Sequence, residues 1–312
     1  DRRAIYDALA RLEAGGSTNG GAGIQLAYAE ARRGFIKGGV NRVLLATDGD
    51  FNVGIADRHA LETLVSDQRK SGVALSTLGF GTGNYNDEMA ERLADAGDGN
   101  YSYIDSAREA ERVLVRNMQS TLMTIAQDVK IQVEFNPAQV AEYRLIGYEN
   151  RALRDEDFDN DAVDAGEIGA GHEVTALYEI ALVGSGGERL PRLRYAGTPS
   201  AQAGSGEIAN LKLRYQQPGG SPSRLIERPI RRSEIRGEAG PDLRFAAAVA
   251  GFADLLRGGR NIDGWDAPRL RRLAESGIGR DPHGERREFI DLVDRADRLM
   301  SGGTDPDRGG ID

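Results

Sequence analysis

Residues 42–50 read RVLLATDGD. The run RVLLA is short and unbroken, the pattern of a strand buried on both faces of a parallel sheet rather than of a half-exposed strand, which would alternate. It passes directly into Thr47-Asp48-Gly49-Asp50. In an open α/β sheet ligands bind in the crevice beyond the carboxyl ends of the strands, and Asp48 is expected there. Asp-Gly is also ordinary turn material, so a strand-end turn is the plainer reading of the same residues. Upstream, Gly15-Gly16-Ser17-Thr18-Asn19-Gly20 leads into a helix read over 24–35. That order puts Thr18 in a glycine-flanked loop at or just before a helix start, where backbone N–H groups and a hydroxyl can serve an anion or the shell of a cation. Ser17 or Thr18 can equally act as a simple N-cap.

Working outward, the pattern repeats. Ile5, Leu9 and Leu12 stand at helical spacing until Gly15-Gly16; Leu61, Leu64 and Val65 mark another helix, ending near Gly72. Residues 73–80 (VALSTLGF) read as a strand, 87–96 as a helix, 101–104 as a strand and 109–125 as a longer helix. Helices alternating with short apolar strands predict an α/β unit with helices on both faces of a mostly parallel sheet. Beyond Gln127 strands follow strands: 129–135, 140–148, 173–183, 189–195 and 208–215 are period-two candidates, separated by turn material such as Asn136-Pro137 and Pro218-Gly219-Gly220. An antiparallel, sandwich-like module is expected. Helices return at 243–256, 267–274 and 285–300, before a Gly/Asp-rich tail. The expected division is an α/β domain over 1–126 and a second part over 127–312, β-rich to 232, helical over 233–302, with a tail over 303–312.

Composition narrows the function. The 312 residues are 39% hydrophobic and 29% charged, enough for two ordinary domains. With 49 acidic against 40 basic residues the net charge is -9, which argues against a nucleic-acid backbone as partner. The absence of cysteine removes disulfides, thiolate nucleophiles and zinc–thiolate sites. No apolar run approaches the roughly 18 residues that cross a bilayer. There is no G-x-x-x-x-G-K-[ST] and no G-x-S-x-G; Gly79-Phe80-Gly81-Thr82-Gly83 has the wrong spacing for a dinucleotide loop. His59, His172 and His283 are scattered without metal-ligand spacing and read as surface or packing residues. Asp157, Asp159 and Asp161 alternate like a calcium loop, but Ala162 and Ile168 stand where glycine and glutamate are required, so 155–167 reads as a solvated acidic loop, with a looser calcium site as the alternative. Trp265 and its apolar neighbours read as helix packing.

What remains is a hydroxyl and a carboxylate, both hard oxygen donors suited to a divalent ion such as magnesium, which retains waters and leaves a position for an incoming carboxylate. GGSTNGGAGIQLAY together with NRVLLATDGDFNVG resembles the von Willebrand factor type A (VWA) domain, in its bacterial YfbK-like branch, and RALRDEDFDNDAVDAGEIGAGHEVTALYEI is similar to the C-terminal module of that branch. The resemblance implies a Rossmann-like, doubly wound VWA fold for 1–126. It also implies a metal-ion-dependent adhesion site in which Thr18 and Asp48 hold Mg2+ or Mn2+ and a protein partner supplies an Asp or Glu carboxylate. Ser17, Asn19, Asp50 and Asn52 flank the two ligands and are the expected partner contacts, although a solvated loop is the plainer reading of Asp50 and Asn52. The family's Asp-x-Ser-x-Ser element has no counterpart in residues 1–17. The expectation is therefore a VWA domain whose opening strands and helix lie upstream, with weak metal binding by these 312 residues.

The task so implied is non-enzymatic protein binding in the assembly or organisation of a bacterial cell envelope, on the periplasmic side, with a lipid anchor supplied from upstream. Two alternatives stand beside it: a magnesium-dependent enzyme acting on a phosphorylated small molecule, and a metal-free structural module. The first needs phosphate-cradling lysines or a general base near the crevice, and the α/β part carries only Lys37 and Lys70.

Overall fold

The computed structural model describes all residues except 1, 12–18, 49–57, 82–85, 149–151, 191–205, 219–221, 263 and 303–312. Thr18, Ser17, Asp50 and Asn52 therefore lie outside the described residues, as does most of the candidate strand at 189–195. The chain forms two compact units that alternate along the sequence. The first takes 1–132, 153–174 and 212–227; the second takes 133–152, 175–211 and 228–312.

The first unit contains a parallel sheet in the order β1 (Arg42–Thr47), β2 (Ala74–Gly79), β3 (Tyr101–Tyr103). Helices α2 (Gly20–Arg33), α3 (Arg58–Arg69) and α4 (Asp87–Ala96) each present an apolar pair at i,i+4, namely Ile24/Tyr28, Leu61/Val65 and Met89/Leu93. These pairs close over Val43, Val73 and Leu75 to make the principal core. A smaller cluster of Leu78, Ile104 and Val113 joins the sheet to the segment after β3. That segment is not the single long helix expected over 109–125. It is α5 (Ala107–Glu111), a π-helical stretch Arg112–Arg116 and α6 (Met118–Leu122), with β4 (Thr124–Phe135) already begun at Thr124. Helix α1 (Arg2–Leu9) buries no residue, and its Ile5, Tyr6 and Leu9 are exposed.

Four strands form a sheet in the order β6 (Gly166–Gly169), β4, β8 (Glu207–Gln216), β9 (Arg224–Arg231), and β5 (Val140–Ile146) pairs with β7 (Leu177–Leu182) in a second sheet. The β4–β6 and β5–β7 ladders are antiparallel. The acidic loop 155–164 is pinned rather than merely solvated. Lys130, only 2% exposed, donates from Nζ to the carbonyls of Asp157 at 3.1 Å and Asn160 at 2.5 Å. Arg214 pairs with Asp159 and Asp161.

In the second unit α7 (Pro241–Leu256), α8 (Ala267–Ser276) and α9 (Glu285–Met300) pack around Phe252, Leu270 and Val293, with Trp265 against the same cluster as the sequence suggested. Phe289 meets Phe245 and Phe252 edge-on, with ring centroids 5.3 and 5.6 Å away.

Candidate functional site

Asp48 is the first residue past β1 and is exposed. Thr47 pairs with Gly79, Phe80 donates its N–H to the Thr47 carbonyl at 2.9 Å, and the next residue, Gly81, comes beside the Asp48 side chain. A Cβ on Gly81 would lie 3.8 Å from the Asp48 Cβ, and the φ of +87° at Gly81 is one that side chains rarely adopt. At 3.8 Å that contact would be an ordinary one, so it is the positive φ that calls for glycine here. The Tyr103 hydroxyl, from the end of β3, donates to the Gly81 carbonyl and completes this edge. Asn19, just before α2, accepts from the Ala22 N–H at 3.1 Å through its side-chain oxygen. The helix thus starts at Gly20 with Asn19 as its cap, four residues before the expected start, and the capping role considered for Ser17 or Thr18 falls to Asn19. An exposed carboxylate at the end of a strand suits a hydrated divalent ion, whose preferred ligands are oxygen donors and water.

A second acidic group, unforeseen in the sequence, gathers at the opposite, amino edge of the sheet, about 20 Å away by strand rise. Asp98, Asp164 and Glu167 bring one carboxylate oxygen each within 4.8 Å of one another. Asp128 adds a fourth carboxylate beside a cavity of about 230 Å³. Arg69, at the end of α3, bridges Asp98 and Asp164, the latter bidentately with both contacts at 2.8 Å. Arg42 donates to Ser76 at 2.6 Å and to Thr124 at 3.1 Å from the same edge.

Burial, then the negative charges of Asp98, Asp164, Asp95 and Asp128, push Glu167 up to about 9, so it is a neutral acid at pH 7. Burial likewise raises Asp98, against the pull of Arg69, and raises Asp128, with Asp164 adding to it. Burial opposes the charge of Arg69, but the Asp164 and Asp98 bonds outweigh it and hold its pKa above the usual arginine range. Asp98 and Asp128 both have positive φ, 51° and 50°, and Asp128 lies where the β4–β6 register shifts. Its carboxylate accepts from the Ala165 N–H at 3.3 Å, fastening the bulge to the segment that carries Glu167. Glu167, read as part of a solvated loop, is instead a half-buried residue of β6, and the segment before it is tied down by Arg69 on Asp164 and by Asp128 on the Ala165 N–H. Chemically the group can bind a cation or hold a proton, and Arg69 already satisfies two of its members.

The acids come from positions 98, 128, 164 and 167, a separation that no spacing rule spans. The one local signal was Lys130, a lysine set inside an alternating strand pattern. The three histidines are exposed and belong to none of these groups.

Residues 1–117 match the von Willebrand factor type A domain, and residues 120–299 match the family described as "Uncharacterized protein YfbK, C-terminal". The chain belongs to the YfbK C-terminal family. It is 50% identical over 295 residues to "Uncharacterized protein YfbK" of Escherichia coli (strain K12), covering 94% of this chain and 51% of that protein. It is 27% identical over 239 residues to "Uncharacterized protein sll0103" of Synechocystis sp. (strain ATCC 27184 / PCC 6803 / Kazusa), covering 73% and 50% respectively. The chain therefore spans about half the length of these curated relatives.

Among solved structures, a von Willebrand factor type A protein from Catenulispora acidiphila is similar with a TM-score of 0.44 and 17% identity, over 94% of this chain and 66% of that one. Human COPII-coat protein Sec24c is similar with a TM-score of 0.35 and 10% identity, over 81% and 34%. Within this YfbK-family chain the VWA match covers the parallel sheet and both of its edges. Among the described residues no helix is long and apolar enough to cross a membrane.

Proposed function

We propose that this chain is a protein-binding module in which Thr18 and Asp48 hold a divalent cation, Mg2+ or Mn2+, that accepts a carboxylate from a partner protein. The observation that carries the reading is the exposed Asp48 at the carboxyl end of β1, next to Gly81. Coordination anchors the partner, while Ser17, Asn19, Asp50 and Asn52, next to the two ligands in sequence, select it. The cation, when bound, supplies Lewis acidity toward the incoming oxygen; the chain's own residues hold it and leave a position open. The setting in this reading is the assembly or organisation of a bacterial cell envelope, on its periplasmic side.

Calorimetric titration of magnesium or manganese chloride tests the reading directly. The chain should bind weakly, and Asp48→Ala or Thr18→Ala should lower the affinity at least tenfold. Glu167→Gln should leave the titration unchanged; loss of binding in that variant, with full binding in Asp48→Ala, would move the metal to the amino edge and overturn the assignment.

A further inference from the structure

The second unit carries a groove that the carboxyl-edge site does not use. One face of α7 is spent on the helical core through Ala248, Gly251 and Phe252. Its opposite face, with Ala246, Val249, Ala250 and Ala253, forms the floor of a groove of about 570 Å³. Ile146 of β5 and Leu177 of β7, paired across the ladder, supply the apolar wall. An α-helix that is apolar on both faces has a second surface to cover. The alanines recur at spacings of four and three, so a helix laid along the groove can approach α7 at the short end of helix-packing distances. From Ala246 to Arg257 the floor runs about 16 Å, three turns of an α-helix.

The lining is not electrically neutral. Arg144, Arg257 and Arg260 face the groove against the single carboxylate of Asp254, in a chain whose net charge is -9. Asp254 is engaged by Asn261, accepting from its backbone N–H at 2.9 Å and its side-chain amide at 2.8 Å. Arg144 is held in place by Glu179 at 2.7 Å, while Arg260 is exposed and makes no hydrogen bond among the described residues. Positive charge beside an apolar floor calls for an occupant that is both apolar and anionic.

We propose that this groove receives an acidic amphipathic helix of a partner protein, its apolar side on Val249, Ile146 and Leu177 and its carboxylates at Arg257 and Arg260. This is the helix-in-groove mode of recognition, with the charge setting orientation and the apolar contact setting affinity. It does not depend on the metal reading.

The test is selection of a phage-displayed library of random 16-residue peptides on the full chain, followed by fluorescence anisotropy of the recovered peptides. Enriched sequences should show apolar residues at three- and four-residue spacing and net negative charge. Arg260→Glu and Ala250→Leu, with melting temperatures checked against the native chain, should each weaken binding at least tenfold, and added salt should weaken it further. Absence of enrichment, enrichment of neutral or basic peptides, or equal binding by Arg260→Glu would overturn the proposal. So would self-association of the chain, seen by sedimentation and abolished by Ala250→Leu, since a second copy would then be the occupant.

Discussion

Glu167 is a carboxyl group kept neutral by its surroundings, and that costs stability between its ordinary pKa and its folded one. Its folded pKa, about 9, lies above its ordinary value of 4.5, so its contribution to stability is fully present below pH 4.5. As pH rises from there the unfolded chain ionises first, and the contribution is lost progressively until the folded group ionises near 9. Glu167→Gln removes the titration. The variant should be more stable than the native chain by roughly 1–3 kcal/mol at pH 8 and indistinguishable from it at pH 4, as read by urea denaturation at both values. Asp98 and Asp128, also raised, act in the same direction and should leave a residual slope in the variant. Asp48 was legible in the sequence because strand, carboxylate and glycine are contiguous. The Asp98–Asp164–Glu167 group was not, because it exists only once α3, the loop after α4, and β6 have met.

Most of the helices and strands were legible because each is written in a local period. The i,i+4 apolar pairs of α2, α3 and α4 and the run at β1 are found where the pattern puts them. The exceptions have physical causes. Residues 109–125 keep helical spacing, but the structure breaks the helix with a π-helical stretch and gives Thr124 and Ile125 to β4, a tertiary choice that β-branched residues accommodate. Strands β6 and β9 escaped notice, since β6 has four residues and β9 is charged and almost fully exposed. Two glycines separate packing from propensity. A Cβ on Gly99 would stand 1.7 Å from the Leu75 carbonyl oxygen, so Gly99→Ala must push β2 away and should cost about 3 kcal/mol or more. Gly23, exposed in α2 with nothing within 4 Å, should gain about 0.5–1 kcal/mol as alanine. Thermal melts of the two variants should therefore shift in opposite directions.

Each unit has its own core, and the two cores share no residue. Leu93→Ala in the first and Leu270→Ala in the second, both at fully buried positions, should each cost about 2–4 kcal/mol. Their double variant should fall within about 0.5 kcal/mol of the sum, since sites without common partners add. The order in which the polypeptide visits the units has a practical outcome. The first draws on three separate stretches of chain, and the second on the stretches between and after them. No single scission in the gene can therefore yield two self-sufficient products. Expressed apart, 1–126 would keep Asp98 but lose Asp164, the second acid on Arg69, and 127–312 would carry Glu167 without the first-unit residues around it. Each fragment should precipitate alone and recover solubility only when both are made in one cell, as soluble yield on co-expression would reveal.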